Sequence, residues 1–105
     1  MPEIVIDKIL EEKDGTITLT LTQPDPWDAA GIMAALQKRL NEYIYTIREG
    51  LFIERYPQYR GRRLRVRLYC YSPPSEAIRW QLDRANYVML ELGIEFVVTH
   101  IDVRA

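Results

Sequence analysis

Two stretches of this sequence alternate strictly between polar and apolar residues. Residues 16–22 read T-I-T-L-T-L-T, and residues 63–71 read R-L-R-V-R-L-Y-C-Y. Successive side chains of a β-strand point to opposite faces, so each stretch predicts a strand with one apolar and one polar face. Strands that are covered on both sides carry continuous apolar runs instead. The chain is therefore predicted to form a sheet that is buried on one face only.

Two further strands are predicted at the ends of the chain. Residues 4–10 are rich in isoleucine and lead to Asp14 and Gly15, a dipeptide typical of a tight hairpin turn. The last strand is predicted at residues 94–103, where the irregular periodicity leaves open which face His100 occupies.

Two helices are predicted from apolar residues that recur at three- to four-residue spacing. The first follows Asp28, which can cap it, and ends or kinks at Gly50. The second is capped by Ser72 or Ser75, has Pro73 or Pro74 in its first turn and stops at Gly93. The apolar stripe of the first helix is Ile32 or Met33, Leu36, Leu40, Tyr43 or Ile44, Ile47 and Leu51, and that of the second is Ile78, Leu82, Ala85, Met89 and Leu92.

The predicted order ββαβαβ constrains the architecture. Crossovers between parallel strands are right-handed, so two crossovers that move the same way place both helices on one face of the sheet. We therefore predict an α+β protein, a two-layer sandwich of two helices on a four-stranded mixed sheet, with residues 1–105 as a single domain. The strand order is 1-2-3-4 or 2-1-3-4. The second is slightly favoured, because it places Glu3 and Asp7 beside the arginines of the third strand.

Charge is distributed unevenly along the chain, although 14 basic and 15 acidic residues give a net charge of only −1. Residues 1–28 carry seven acids and two lysines, whereas residues 55–67 carry six arginines and no acid. This asymmetry indicates either a patch for an anionic partner or two segments that neutralise each other in the fold.

The sheet face away from the helices is the candidate binding surface. It is expected to display the threonines of residues 16–22 and the polar side of the third strand, with an arginine-tyrosine loop nearby. The candidate binding residues are Arg63, Arg65, Arg67, Tyr69 and Tyr71 on the strand, and Tyr59, Arg60 and Arg62 in the loop.

Three hypotheses account for this face. It can be merely solvated, since threonine and tyrosine suit strands and arginine stems cover apolar surface. It can contact a second copy of the chain or another protein, since arginine and tyrosine are enriched in interfaces. It can also bind single-stranded nucleic acid, although a pI near 5.8 and the missing RNP1-type motif argue against this. We predict a protein-interaction or assembly domain, homodimeric through this face, with nucleic-acid binding as the alternative.

Other classes of function have less support. One cysteine and one histidine supply neither a disulfide framework nor a usual metal site, and no cofactor is expected. His100 and Asp102 can share a strand face, but the sequence places no nucleophile beside them. Cys70 occupies a strand position that is expected to face the core, where cysteine is usually a small apolar residue. No enzyme is therefore predicted. No membrane span or signal peptide is recognisable, which favours the cytoplasm. Trp27 and Trp80 are expected to be packing aromatics.

Six short motifs occur in a familiar order: W-D at residues 27–28, L-Q-K-x-L-N-x-Y at 36–43, E-G at 49–50, Y-P-x-x-x-G-R at 56–62, P-P-S-E at 73–76 and G-I-E at 93–95. In this order they resemble a small bacterial domain family of unknown function, over about residues 4–96. The resemblance implies bacterial origin and a stand-alone domain. It implies no activity, ligand or catalytic residue.

Overall fold

The computed structural model describes residue 6, residues 8–23, residue 27 and residues 30–101. The elements in these ranges are β1 (Lys8–Glu11), β2 (Ile17–Gln23), α1 (Ile32–Arg48), α2 (Leu51–Arg55), a 3₁₀ turn (Pro57–Tyr59), β3 (Leu64–Cys70), α3 (Glu76–Glu91) and β4 (Glu95–His100). The predicted α+β order ββαβαβ is confirmed, and α2 and the 3₁₀ turn are additions to it.

The four strands form one mixed sheet in the order β1-β2-β3-β4. β1 is antiparallel to β2, while β2, β3 and β4 are parallel neighbours. The favoured order 2-1-3-4 is therefore wrong, and the alternative 1-2-3-4 is correct. β1 has four residues with Lys8 and Glu11 at its ends, whereas β2 has seven residues. A short, charged strand suits a sheet edge, and the longer β2 pairs its backbone on both sides.

Both long helices pack on the same face of the sheet. The apolar residues of β2 and β3 are buried and point to this side: Ile17, Leu19, Leu21, Val66, Leu68 and Cys70. They form one cluster with the apolar stripes of α1 and α3, which are Leu36, Leu40, Tyr43, Ile44, Ile78, Leu82, Ala85 and Met89. The two-layer arrangement and the predicted strand parity are confirmed.

Local signals set the helix ends. Gly50 has a φ angle of 74°, in the left-handed region, so it separates α1 from α2 rather than kinking one helix. Ser75 is the N-cap of α3, and its Oγ accepts a hydrogen bond from the Ile78 amide at 3.3 Å. Pro73 and Pro74 therefore precede α3, and the expectation that one of them lies in its first turn is wrong.

The loops before the two long helices are tied together. The buried Trp27 donates its indole N–H to the Ser72 carbonyl at 2.7 Å, which confirms Trp27 as a packing aromatic. Asp28, expected to cap α1, lies outside the described residues, and Gly31 precedes α1 at the N-cap position.

Candidate functional site

The candidate site is the outer face of the sheet, defined as the face opposite α1 and α3. Arg65, Arg67 and Tyr69 alternate along β3 with the buried residues of the core, so all three side chains belong to the outer face. Arg63 and Tyr71 flank β3 and are exposed. Three of the five predicted strand residues therefore form a row on the outer face, and the other two lie directly before and after that row in the sequence. None of the described helices packs on this face.

The threonines of β2 do not form the exposed ladder that the sequence predicts. Thr16, Thr18 and Thr20 are all buried. The Thr18 hydroxyl donates to Glu12 Oε1 at 2.9 Å, and the Thr20 hydroxyl donates to the Lys8 carbonyl at 3.1 Å. The physical reason is position: β2 lies inside the sheet, where Thr18 and Thr20 each pair with a longer residue on both neighbouring strands. The expectation of a solvated threonine ladder is wrong.

Arg65 is held in place by two carboxylates. Its Nε lies 3.1 Å from Glu95 Oε2 on β4, and its Nη1 lies 3.9 Å from Glu12 Oε1 after β1. Because Glu12 also accepts from Thr18, these contacts link β2, β3 and β4 to the residue that follows β1. The Arg65 side chain is 20% exposed, and such partly solvated pairs contribute about 0–1 kcal/mol each. Their main effect is to order Arg65.

Arg62 is bound to the β1–β2 hairpin. Its Nη2 lies 2.6 Å from Glu11 Oε1, and its Nε donates to the Gly15 carbonyl at 2.7 Å. Together with the Arg65–Glu12 pair, this contact shows that the acidic and arginine-rich segments are neighbours. They neutralise each other in part, which is one of the two explanations that the charge distribution allows. Glu3 and Asp7, the acids expected to do this, lie outside the described residues.

Asp14 lies in the hairpin turn, where hydrogen bonds and nearby arginines lower the pKa of its carboxyl group. The Thr16 amide donates to Asp14 Oδ1 at 2.9 Å. This bond and one from the Thr16 hydroxyl hold the pKa of Asp14 below its ordinary value, and the charges of Arg65 and Arg63 lower it further. The ionised form of Asp14 therefore stabilises the folded state.

This lowered pKa predicts an acid-dependent loss of stability. A carboxylate with a lowered folded-state pKa stabilises fully above its unfolded-state pKa, about 3.9, and the contribution is lost as pH falls through the folded value. We expect Asp14→Asn to be less stable than the wild type near neutral pH, and the difference to shrink as pH falls below about 4. Urea titrations of both proteins at several pH values measure this difference in the free energy of unfolding. A difference that is constant with pH would contradict the assignment.

The loop residues of the candidate set have different surroundings. Tyr59 stacks on Phe52 of α2, with ring centroids 6.0 Å apart and an interplanar angle of 10°. Tyr56 adds a tilted contact to Phe52 at 5.2 Å. Tyr59 is thus a packing residue that secures the loop, while Arg60 is exposed beside it. The structure therefore brings together the strand residues of the predicted set but not Tyr59.

Arg67 and Tyr69 lie in the middle of the outer face and are both partly buried. Arg67 pairs in register with Thr20 and Val97, and Tyr69 pairs with Thr22 and Thr99. Arg67 Nε is buried and makes no hydrogen bond within the described part of the chain. Among the described residues, no carboxylate forms an ion pair with Arg67 as Glu12 and Glu95 do with Arg65.

The residues considered for catalysis that the structure describes are neighbours on β3 and β4, but they differ in burial. Cys70 is buried, its Sγ donates to the Thr99 carbonyl at 3.7 Å, and burial raises the pKa of its thiol. His100 pairs with Cys70 in register and is exposed at the end of β4, and Asp102 lies outside the described residues. A raised pKa keeps the Cys70 thiol protonated near neutral pH, which does not suit a nucleophile.

Sequence reasoning missed one exposed surface on the helical layer. Trp80, expected to be a packing residue, is 62% exposed, and the Arg84 guanidinium lies 4.9 Å from the centre of its ring. That expectation is wrong, because Trp80 falls outside the buried stripe of α3. This offset from the stripe is the sequence signal that marks the surface.

No helix in the described ranges is long and apolar enough to cross a bilayer. No group of three or more histidine, cysteine, aspartate or glutamate side chains there could hold a metal ion.

The fold and the outer face define a class: a two-layer α+β protein whose described helices lie on one face of the sheet, while the other face carries both arginines and carboxylates. Residues 2–102 match the model of a family described as "Family of unknown function (DUF6572)", so the chain belongs to this family. The resemblance to a family of unknown function is thereby confirmed, while bacterial origin stays a prediction. No curated protein and no solved structure matches the chain.

Proposed function

We propose that this chain is a non-enzymatic protein-interaction domain that self-associates through the outer face of its sheet. The observation that carries the proposal is the row of Arg65, Arg67 and Tyr69 on a face that none of the described helices covers. Arginine and tyrosine are enriched at the centres of protein interfaces, where they supply much of the binding energy. A cytoplasmic location stays a prediction.

Two side chains of this row are already held in place within one copy of the chain, which supports the proposal. Arg65 is fixed by Glu12 and Glu95, and Tyr69 is partly buried between strands. Side chains that are ordered before binding lose less conformational entropy on association. Arg67 Nε makes no hydrogen bond within the described ranges, so the guanidinium is suited to pair with a carboxylate of a partner.

The mixed charge of the face supports a second copy of the chain as the partner. In a two-fold dimer the same surface of each copy meets its counterpart, so the surface must be complementary to itself. Glu12 and Glu95 lie beside the arginines of β3, which places both signs of charge on one face. In such a dimer, Glu95 of one copy can meet Arg67 of the other.

The same contacts weaken the alternative of nucleic-acid binding. Arg62 and Arg65 already contact carboxylates, and phosphates would have to compete with these acids. Binding dominated by phosphates would also weaken steeply with added salt. This alternative stays a prediction, and a titration with a labelled single-stranded oligonucleotide at low and high salt tests it.

Sedimentation at increasing protein concentration tests self-association. We expect a dimer at micromolar concentrations and a monomer for the double variant Arg67→Ser/Tyr69→Ser, because the variant removes the centre of the proposed contact. The matched control is Arg79→Ser/Tyr87→Ser, which changes the same residue types at exposed positions of α3. Its sedimentation should equal that of the wild type. A wild-type monomer at high micromolar concentration would exclude the proposal.

A further inference from the structure

A groove runs between α1 and α3, in the layer opposite the outer face of the sheet. Its volume is about 430 Å³. Its lining residues include Gln37, Arg48, Trp80, Gln81, Arg84 and Val88. We refer to this feature as the helical groove.

The helical groove is elongated. Gln37 and Arg48 both line it from α1, and their separation in sequence corresponds to about three helical turns, or about 16 Å. Trp80 and Val88 line it from α3, about two turns apart. A groove of this length between two helices suits a peptide segment, which can contact the groove along its whole length.

One wall of the groove is apolar and exposed. Trp80 is 62% exposed and Val88 is 41% exposed. The Arg84 guanidinium lies 4.9 Å from the centre of the Trp80 ring, a cation–π contact that orders both side chains. Exposed tryptophan beside arginine is a typical composition of an interaction hot spot.

The charged residues of the groove have one sign. Arg48 and Arg84 line it, and no carboxylate from the described ranges does. Arg48 Nε lies 3.6 Å from Glu49 Oε2, but both side chains are about half exposed, so this pair is weak. The groove is therefore complementary to an acidic ligand that also carries apolar side chains.

Gln81 holds one end of the groove. It is 7% exposed, and its Nε2 donates to the Met33 carbonyl at 2.9 Å and to Gln37 Oε1 at 3.1 Å. These bonds join α3 to α1 beside the groove. Gln81 Oε1 is buried and accepts no hydrogen bond within the described part of the chain, so the site retains an unused acceptor.

We propose that the helical groove binds an acidic amphipathic segment of a partner protein. Apolar side chains of the segment contact Trp80 and Val88, and its carboxylates pair with Arg84 and Arg48. This proposal depends on residues in the helical layer and is independent of self-association through the sheet.

A defined peptide tests the proposal. The probe is a fluorescein-labelled peptide of about 12 residues, with leucine at helical spacing and glutamate elsewhere. Its counterpart carries glutamine at every glutamate position. We expect the acidic peptide to bind with micromolar affinity, the neutral peptide at least about tenfold more weakly, and Trp80→Ala and Arg84→Ala each to lower the affinity at least about tenfold. Peptide binding should also shift the indole N–H signal of Trp80 in ¹⁵N spectra.

Two control variants on the same helix lie outside the groove. Leu90→Ala removes an exposed apolar side chain and Arg79→Ala removes an exposed charge, and both should bind the acidic peptide as the wild type does. Equal binding of the two peptides, or unchanged binding by both groove variants, would overturn the proposal. So would binding of inorganic phosphate without the peptide, which indicates a small-anion site. Loss of self-association in Trp80→Ala would instead assign the groove to a second copy.

Discussion

Leu68→Asp is expected to unfold the protein at room temperature. Leu68 is 1% exposed and belongs to the core beneath the helices. Truncating such a leucine to alanine costs about 2–5 kcal/mol, and an unpaired carboxylate in the core adds several more. Domains of this size are stable by about 5–15 kcal/mol, so the substitution removes most or all of the stability. Far-UV circular dichroism and urea titration measure this loss.

Tyr69→Asp is the matched control, since it introduces the same charge one position along β3. Tyr69 belongs to the outer face and is only partly buried, so we expect a loss of about 1 kcal/mol and a folded protein. Comparison of the two variants tests whether Leu68 points to the core and Tyr69 to the outer face, on which the proposed interaction depends. If both variants unfold, or if Leu68→Asp folds normally, the outer face is not the surface described above.

Phe52→Ala is expected to have the second-largest effect. Phe52 is 1% exposed and lies at the centre of an aromatic cluster with Tyr56 and Tyr59. Removing a buried phenylalanine side chain costs about 3–5 kcal/mol. The five-residue helix α2 is too short to be stable alone, so we expect faster amide exchange across residues 51–59 as well as a lower unfolding free energy.

Two substitutions control for this effect. Phe52→Leu keeps most of the apolar volume and should cost clearly less than the alanine variant. Tyr87→Ala removes a ring that is 67% exposed and should change stability by less than about 0.5 kcal/mol. A loss in Phe52→Ala no larger than that in Tyr87→Ala would show that the cluster does not secure the loop.

The strand order could not be predicted from local sequence patterns. Both candidate orders pair β1 with β2 through the hairpin, so the turn at Asp14 and Gly15 does not distinguish them. The deciding factor is which strand suits the edge, and this depends on β1 being short with Lys8 and Glu11 at its ends. The preference for 2-1-3-4 rested on Glu3 and Asp7, whereas Glu11 and Glu12 contact the arginines.

The candidate site was predicted only in part for a related reason. Alternation places Thr18 and Arg65 on the outer face, and the structure agrees. Alternation does not reveal that Thr18 is buried by its neighbours, nor that Arg65 pairs with Glu12 and Glu95. Likewise, the position of Trp80 off the buried stripe of α3 is visible in the sequence. The groove beside Trp80 is not, because it forms only where α1 lies next to α3.

Local patterns in the sequence determined the strands, the long helices, the faces they bury and the polar row of Arg65, Arg67 and Tyr69. These properties depend on residues a few positions apart, through strand alternation, helical spacing and turn conformation. Only the tertiary structure decided the strand order, the pairing of acids with arginines, the burial of the threonines and the groove between the helices. Each of these depends on the relative placement of segments that are far apart in the chain, and several placements satisfy the same local patterns.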